Sequence, residues 1–172
     1  HDDAYNVSAS RLGIAESQIA LGQPDAALAS LQQARAGFAA EQDDASEDML
    51  LMLTGQALAR QGQHTAAMER YRQALPLIQR NGNQRYLAML YKVQAASEEA
   101  LGWTANALAD HKRYAELQLK LQGKMRLEQG RMLEYEHEIR RRDFENQQLR
   151  AEAAAKQQEV PTPQAARRRQ RD

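Results

Sequence analysis

Ala20-Leu21-Gly22-Gln23-Pro24-Asp25-Ala26-Ala27-Leu28, Arg60-Gln61-Gly62-Gln63-His64-Thr65-Ala66-Ala67-Met68 and Ala100-Leu101-Gly102-Trp103-Thr104-Ala105-Asn106-Ala107-Leu108 are three versions of one segment. Their glycines stand at 22, 62 and 102, an interval of 40 residues at each step. Three similar segments at equal spacing mark an array of repeated units, each a helical hairpin. An amphipathic helix runs into the glycine, which can take the left-handed conformation that ends a helix. A second helix starts two or three residues later. A small residue five positions after each glycine (Ala27, Ala67, Ala107) faces another seven positions before it (Ala15, Gly55, Ala95), so the two helices of a hairpin can pack at short distance.

Composition agrees with an all-α chain. Hydrophobic residues are 42% of the 172, much of it alanine, and aromatics only 5%. Such chains suit closely packed helices and suit sheet cores badly. Lys+Arg and Asp+Glu number 23 each, so no net field draws in nucleic acid or an acidic membrane. The absence of cysteine excludes disulfides and thiolate chemistry. No apolar run approaches the ~20 residues of a membrane span. The chain opens at His1-Asp2-Asp3, without a methionine or a signal sequence, and reads as a piece of a longer protein.

The repeated segment resembles the tetratricopeptide repeat family, which pairs small residues of its helices A and B around a glycine turn. In helix B the family follows with alanine, an aromatic or leucine, and alanine, matched by Ala27-Leu31-Ala34 and Ala67-Tyr71-Ala74. The third copy departs, with His111 and Tyr114 in the last two places, and Arg11 stands where the first helix A would carry a large residue. The period departs as well, since the family's is about 34 residues. Longer helices and links are therefore expected, such as Glu41-Gln42-Asp43-Asp44. The resemblance covers roughly residues 8–120. It implies three hairpins, with helices at 4–21, 24–40, 46–61, 64–80, 84–101 and from 104 onward, in a short right-handed superhelix with a concave groove. Asn81-Gly82-Asn83 reads as the turn between the second and third hairpins.

In this family helix A faces the groove. That position falls to Leu12, Ile19, Met49, Met52 and Met89, which can line a peptide-binding surface or equally complete the core. Glu16, Gln56, Lys92 and Glu99 would form its polar rim.

From Tyr114 to Pro161 neither a proline nor a glycine turn ends the helix, although Gly123 and Gly130 each weaken it by about 1 kcal/mol. Leu121, Met125, Met132, Tyr135, Ile139 and Leu149 recur at heptad spacing, with Glu128, Arg142 and Asn146 in the remaining seam places. The flanks carry dense mixed charge. A seam from 121 to 149 would span roughly 43 Å, and a lone helix of that length lacks the packing that stabilises helices in water. It should pair with a second copy, making a homodimer, or fold back on the repeats. The organisation expected is thus a repeat domain over 1–120, a coiled-coil helix over 121–159, and a linker with a basic tail over 160–172. That tail, Arg167-Arg168-Arg169-Gln170-Arg171, reads as a solvated linker, with salt-sensitive contact to nucleic acid or lipid headgroups as the alternative.

No catalytic, cofactor or metal site emerges. His64 and His111 sit where packing at a hairpin interface explains them, and His137 lies on the charged flank. No histidine pair has the i, i+4 spacing with a carboxylate of a helical zinc site. Carboxylates fall in runs such as Glu98-Glu99, read here as solvent-facing.

A repeat array feeding a dimeric helix resembles the sensory half of bacterial signalling proteins. Tyr135-Glu136 and Arg142-Asp143-Phe144-Glu145-Asn146-Gln147-Gln148-Leu149 resemble the connector of tetratricopeptide-containing diguanylate cyclases and histidine kinases. Arg171-Asp172 is similar to the residues just before a GGDEF-type cyclase domain. The resemblance implies a non-catalytic region that receives a peptide or protein, or alternatively a small ligand, in its groove and relays the event through the coiled coil. A passive scaffold, or the regulatory repeats of a histidine kinase or transcription regulator, are the alternatives. The resemblance also implies a cytoplasmic location, or a periplasmic sensor.

Overall fold

The computed structural model describes residues 2–159; the basic tail and the Val160-Pro161-Thr162-Pro163 stretch lie outside them. Among the described residues the chain is six α-helices and no strand: α1 (Asp2–Ala20), α2 (Pro24–Ala40), α3 (Glu47–Arg60), α4 (His64–Asn81), α5 (Gln84–Ala100) and α6 (Thr104–Glu159). These bounds match the sequence-based ones to within two residues wherever both ends were set. The chain divides into two compact units between Gln122 and Gly123.

The first unit is built on one turn used three times. Gly22, Gly62 and Gly102 all have positive φ, at 73°, 80° and 77°. At each, the glycine N–H donates to a carbonyl three residues back (Ile19, Ala59, Glu99; 2.9–3.1 Å). The next N–H donates to a carbonyl five residues back: Gln23 to Gln18, Gln63 to Leu58 and Trp103 to Glu98, at 2.8–2.9 Å. This double closure satisfies the orphan carbonyls of a helix end and fixes the exit direction of the chain.

The links between hairpins also turn on a residue in the left-handed conformation. Gly82 closes α4 at φ 68°, and Asn83 then caps α5 by accepting the Tyr86 N–H at 3.1 Å. Forty residues earlier, Gln42 takes the left-handed conformation at φ 54°. Gln42 N–H donates to the carbonyl of Ala39 and Asp43 N–H to that of Phe38. The repeat therefore extends to the linking turn, where a glutamine stands in a conformation that a side chain disfavours by about 1–2 kcal/mol.

Packing follows from the small positions. Ala15 and Ala95, and Ala27, Ala67 and Ala107, are 0–2% exposed. At the remaining one, Gly55, a Cβ would collide with Cε1 of Tyr71 and lie 2.7 Å from its Cδ1. The Tyr71 ring thus lies directly on the α3 backbone. Two core clusters result. One holds Ile19, Leu31, Phe38, Leu50 and Leu53; the other holds Leu51, Met52, Tyr71, Ile78 and Leu90. The third copy differs because no further hairpin packs against it among the described residues. His111, at the place of Leu31 and Tyr71, is not packed as its sequence position implies. It is exposed and pairs with Glu99 at 2.7 Å, the expected behaviour of a terminal repeat with a polar outer face.

Two substitutions of opposite sign follow. Gly55→Ala forces Tyr71 off α3 and lowers stability by about 1–3 kcal/mol despite the better helix propensity of alanine. Gln42→Gly relieves the left-handed residue and gains up to about 1 kcal/mol. Urea unfolding followed by circular dichroism measures both.

Candidate functional site

The first helices of the three hairpins, α1, α3 and α5, border a cavity of about 430 Å³. Leu12 and Glu16 reach it from α1, Met49 and Leu53 from α3 and Tyr86 from α5. Three of the residues expected in the groove, Leu12, Glu16 and Met49, are therefore together. At one end stands Asp48, only 5% exposed. Its Oδ1 accepts the Met49 N–H at 2.7 Å, and its Oδ2 accepts from Asn81 Nδ2 at 3.1 Å. Asn81 and Asn83, read from the sequence only as turn residues, are thus part of the cavity wall. Burial first, then the nearby carboxylates of Asp48 and Glu16, push the Tyr86 hydroxyl up from the usual phenol range. The result is an apolar floor with a carboxylate, a phenol and amides at its edge, the composition of a site that holds an apolar group and orients a polar one.

The other expected groove residues lie elsewhere. Ile19 and Met52, 4% and 0% exposed, are consumed by the core and offer no side chain to a ligand. Gln56 Nε2 contacts Met89 Sδ at 3.8 Å across α3 and α5. Lys92 places its ammonium 5.9 Å from the centre of the Tyr114 ring, and Glu99 is held by His111. The rim around the third hairpin is therefore already engaged by α6.

A second cavity, of about 510 Å³, lies where α4, α5 and α6 meet. Here the sequence reading of Glu98-Glu99 as solvent-facing is corrected. Glu99 is exposed, but Glu98 is 4% exposed and lines the cavity. Adjacent residues on a helix point about 100° apart, so a helix packed along one side can bury one of the pair and leave the other in water. Asp110, also 4% exposed, faces Glu98 and accepts from Arg113 Nη1 at 2.7 Å. Burial, the charge of Asp110, and a hydrogen bond to it that only the protonated acid can donate raise the Glu98 carboxyl to about 7. His64 is half-buried, with Nδ1 3.1 Å from Ser97 Oγ. Among the described residues no group of three or more histidines and carboxylates is placed to hold a metal ion, and no helix is long and apolar enough to cross a membrane.

In the second unit, Met125, Met132, Tyr135, Ile139 and Leu149 are 41–66% exposed. Asn146 and Glu128 are exposed beside them, while Leu121, in the first unit, is half-buried. Arg142 donates to Glu138 at 2.7 Å. Leu127, Leu133 and Phe144 are exposed too, off the seam.

No protein-family model matches the chain, and no curated protein is similar enough to match. Among solved structures, the chain is similar to the tetratricopeptide-repeat domain of Arabidopsis FLU, with a TM-score of 0.58 at 20% identity. The match covers 67% of this chain and 98% of that one. The fold is thus of tetratricopeptide type.

Asn81→Ala leaves a buried Asp48 oxygen without its donor, and is expected to lower stability by about 1–3 kcal/mol in urea titrations. Glu98 has a raised folded-state value, so the folded chain holds its proton more tightly than the unfolded one. Its contribution to stability is full below the ordinary glutamate range and is lost as pH rises through about 7. Melting temperatures between pH 5 and 8 should fall in the wild type and fall less in Glu98→Gln.

Proposed function

We propose that this chain is a non-catalytic regulatory module that takes a segment of a protein partner on its helix-A face and pairs with a second copy through its C-terminal helix. The observation that carries this reading is the seam of residues 125–149. Five large apolar side chains at heptad spacing stand in water there, and a second identical helix buries such a stripe by knobs-into-holes packing. The cavity bounded by Leu12, Glu16, Met49 and Tyr86 gives the repeats a place to receive a partner. The tetratricopeptide-type fold is consistent with an interaction module, and function must be argued from such sites because fold alone does not fix it.

In the fuller form of this reading the paired helices govern an output domain, for which the connector-like sequence of 135–149 and the closing Arg171-Asp172 favour a diguanylate cyclase. Two cyclase domains would then be held so that their half-sites meet, and occupancy of the groove would alter that geometry by a shift of one helix against the other. A passive adaptor without such output is the competing reading.

Light scattering across concentrations tests the core of the proposal. The wild-type chain should have twice the monomer mass. Met132→Asp with Ile139→Asp places four carboxylates in a paired seam and should return the monomer with its helical circular dichroism retained. A wild type that stays monomeric at high concentration removes the pairing, and with it the relay. In the complete protein, loss of cyclic di-GMP synthesis in the same double variant would support the cyclase output; absence of a cyclase domain beyond Asp172 would favour the adaptor.

A further inference from the structure

The cavity at α4, α5 and α6 has a twin one repeat earlier, a cavity of about 550 Å³ bordered by Arg35, Thr54, Leu58 and Arg70. Moved by 40 residues, these positions become Leu75, Gln94, Glu98 and Asp110, all on the wall of the second cavity. The fold thus builds the same recess twice and gives it different chemistry. Leu58 serves where Glu98 stands, so the architecture does not call for a carboxylate there. Burying one is costly unless it is paired.

The pairing within the chain is incomplete. Glu98 Oε2 and Gln94 Oε1 are both buried without a hydrogen-bond partner. The two residues are four apart on α5, hence on one face of the helix. Native proteins seldom leave buried acceptors unsatisfied. Across from them, Asp110 holds Arg113, whose guanidinium stacks 5.7 Å from the Tyr91 ring centre. One arginine faces two carboxylates, so the recess carries an excess negative charge whenever Glu98 is ionised.

We propose that this recess is a binding site for a protonated primary amine on an aliphatic chain, the ammonium donating to Glu98 Oε2 and Gln94 Oε1 beside the Asp110 carboxylate. An ammonium offers three donors and no acceptor, the complement of what the recess lacks. Leu75, Ala105 and Ala109 supply an apolar wall for the attached methylenes, and the volume falls in the range of small-ligand pockets. The amine can belong to a free alkyl diamine or to a lysine side chain. The site depends on neither the helix-A groove nor the pairing of the C-terminal helix.

Without ligand, burial and the neighbouring charge of Asp110 favour the protonated form of Glu98; the ammonium takes the place of that proton. The charged groups acting on Glu98 are Asp110, Arg113 and His111, all from α6. From α4 the recess receives only Leu75 and Gln79, neither titratable. With the carboxyl at about 7, the ionised fraction rises about tenfold between pH 6 and pH 8, and affinity should rise with it.

Isothermal titration and amide chemical shifts of the full chain with butane-1,4-diamine test this. Saturable binding at pH 8, about tenfold weaker at pH 6 and at least tenfold weaker in Glu98→Gln at pH 8, is the expected result, with shifts centred on Gln94, Glu98 and Asp110. Release of about half a proton at pH 7, from binding heats in phosphate and HEPES buffers, gives the same answer on the wild type alone. Nα-acetyl-lysine amide, with only its side-chain amine free, identifies a protein lysine as the source if it binds at least as well; binding of the diamine alone identifies a free amine. No saturable binding of either compound, no proton release, equal affinity in Glu98→Gln, or shifts centred on Leu12, Met49 and Tyr86 would overturn the assignment.

Discussion

The closeness with which helix α3 meets α4 governs the array. With glycine at 55, the Tyr71 ring rests on the backbone of the neighbouring helix, where even a methyl group would intrude. The equivalent places in the other hairpins hold alanines that are wholly buried. A short interhelical distance leaves little room between the partners, so the larger apolar residues of each hairpin must find cover outside it. Leu50 and Leu53 of α3 find it in the cluster of the first hairpin, while Leu51 and Met52 face the second. Stacking thus follows from the small residues, and the glycine turns set the direction in which stacking proceeds.

Because the backbone is fixed by so few positions, the rest of each repeat is free to diverge. The exchange of Leu58 for Glu98 and of Arg70 for Asp110 at matching sites changes the chemistry of a recess without changing the path of the chain. Likewise, the place of Leu31 and Tyr71 passes to His111, which no further hairpin among the described residues buries. Burying an imidazole would require hydrogen bonds that an apolar interface cannot supply. At the surface it has Glu99 instead.

What was legible in the sequence was local and periodic. The glycines at 22, 62 and 102, the small residues flanking them and the turn at Asn81-Gly82-Asn83 each act within a few residues, so pattern and structure coincide. Glu41-Gln42-Asp43-Asp44 was read as a link, but the left-handed turn at Gln42 within it was not, because its signal is conformational. Glutamine is an ordinary residue, and only the comparison with Gly82, forty positions on, exposes its role. Ile19 and Met52 were open between groove and core because helix periodicity specifies a face of about a third of the circumference, and the boundary between the two destinations falls within it. Glu98 was misread by composition, although the repeat carried the correction. Its counterpart is Leu58, and the phase that buries Leu58 buries Glu98. The Asp48–Asn81 bond joins residues 33 apart through the packing of two hairpins, which no local pattern encodes.

The apolar side chains of the second unit differ in how far each can be argued. Single exposed leucines are ordinary on protein surfaces, and Leu127, Leu133 and Phe144 share no stripe, so each stands as such a residue. Met125, Met132, Tyr135, Ile139 and Leu149 do share one, at intervals of seven, three, four and ten. In such a stripe a partner helix covers successive residues at once, and each added heptad contributes area without a new association cost. Glu128, Arg142 and Asn146 interrupt that gain, and a polar residue at a seam position specifies register at a cost in stability. In the pairing proposed above, such interruptions would leave one helix free to shift against the other, which is the property a relay needs and a static scaffold does not.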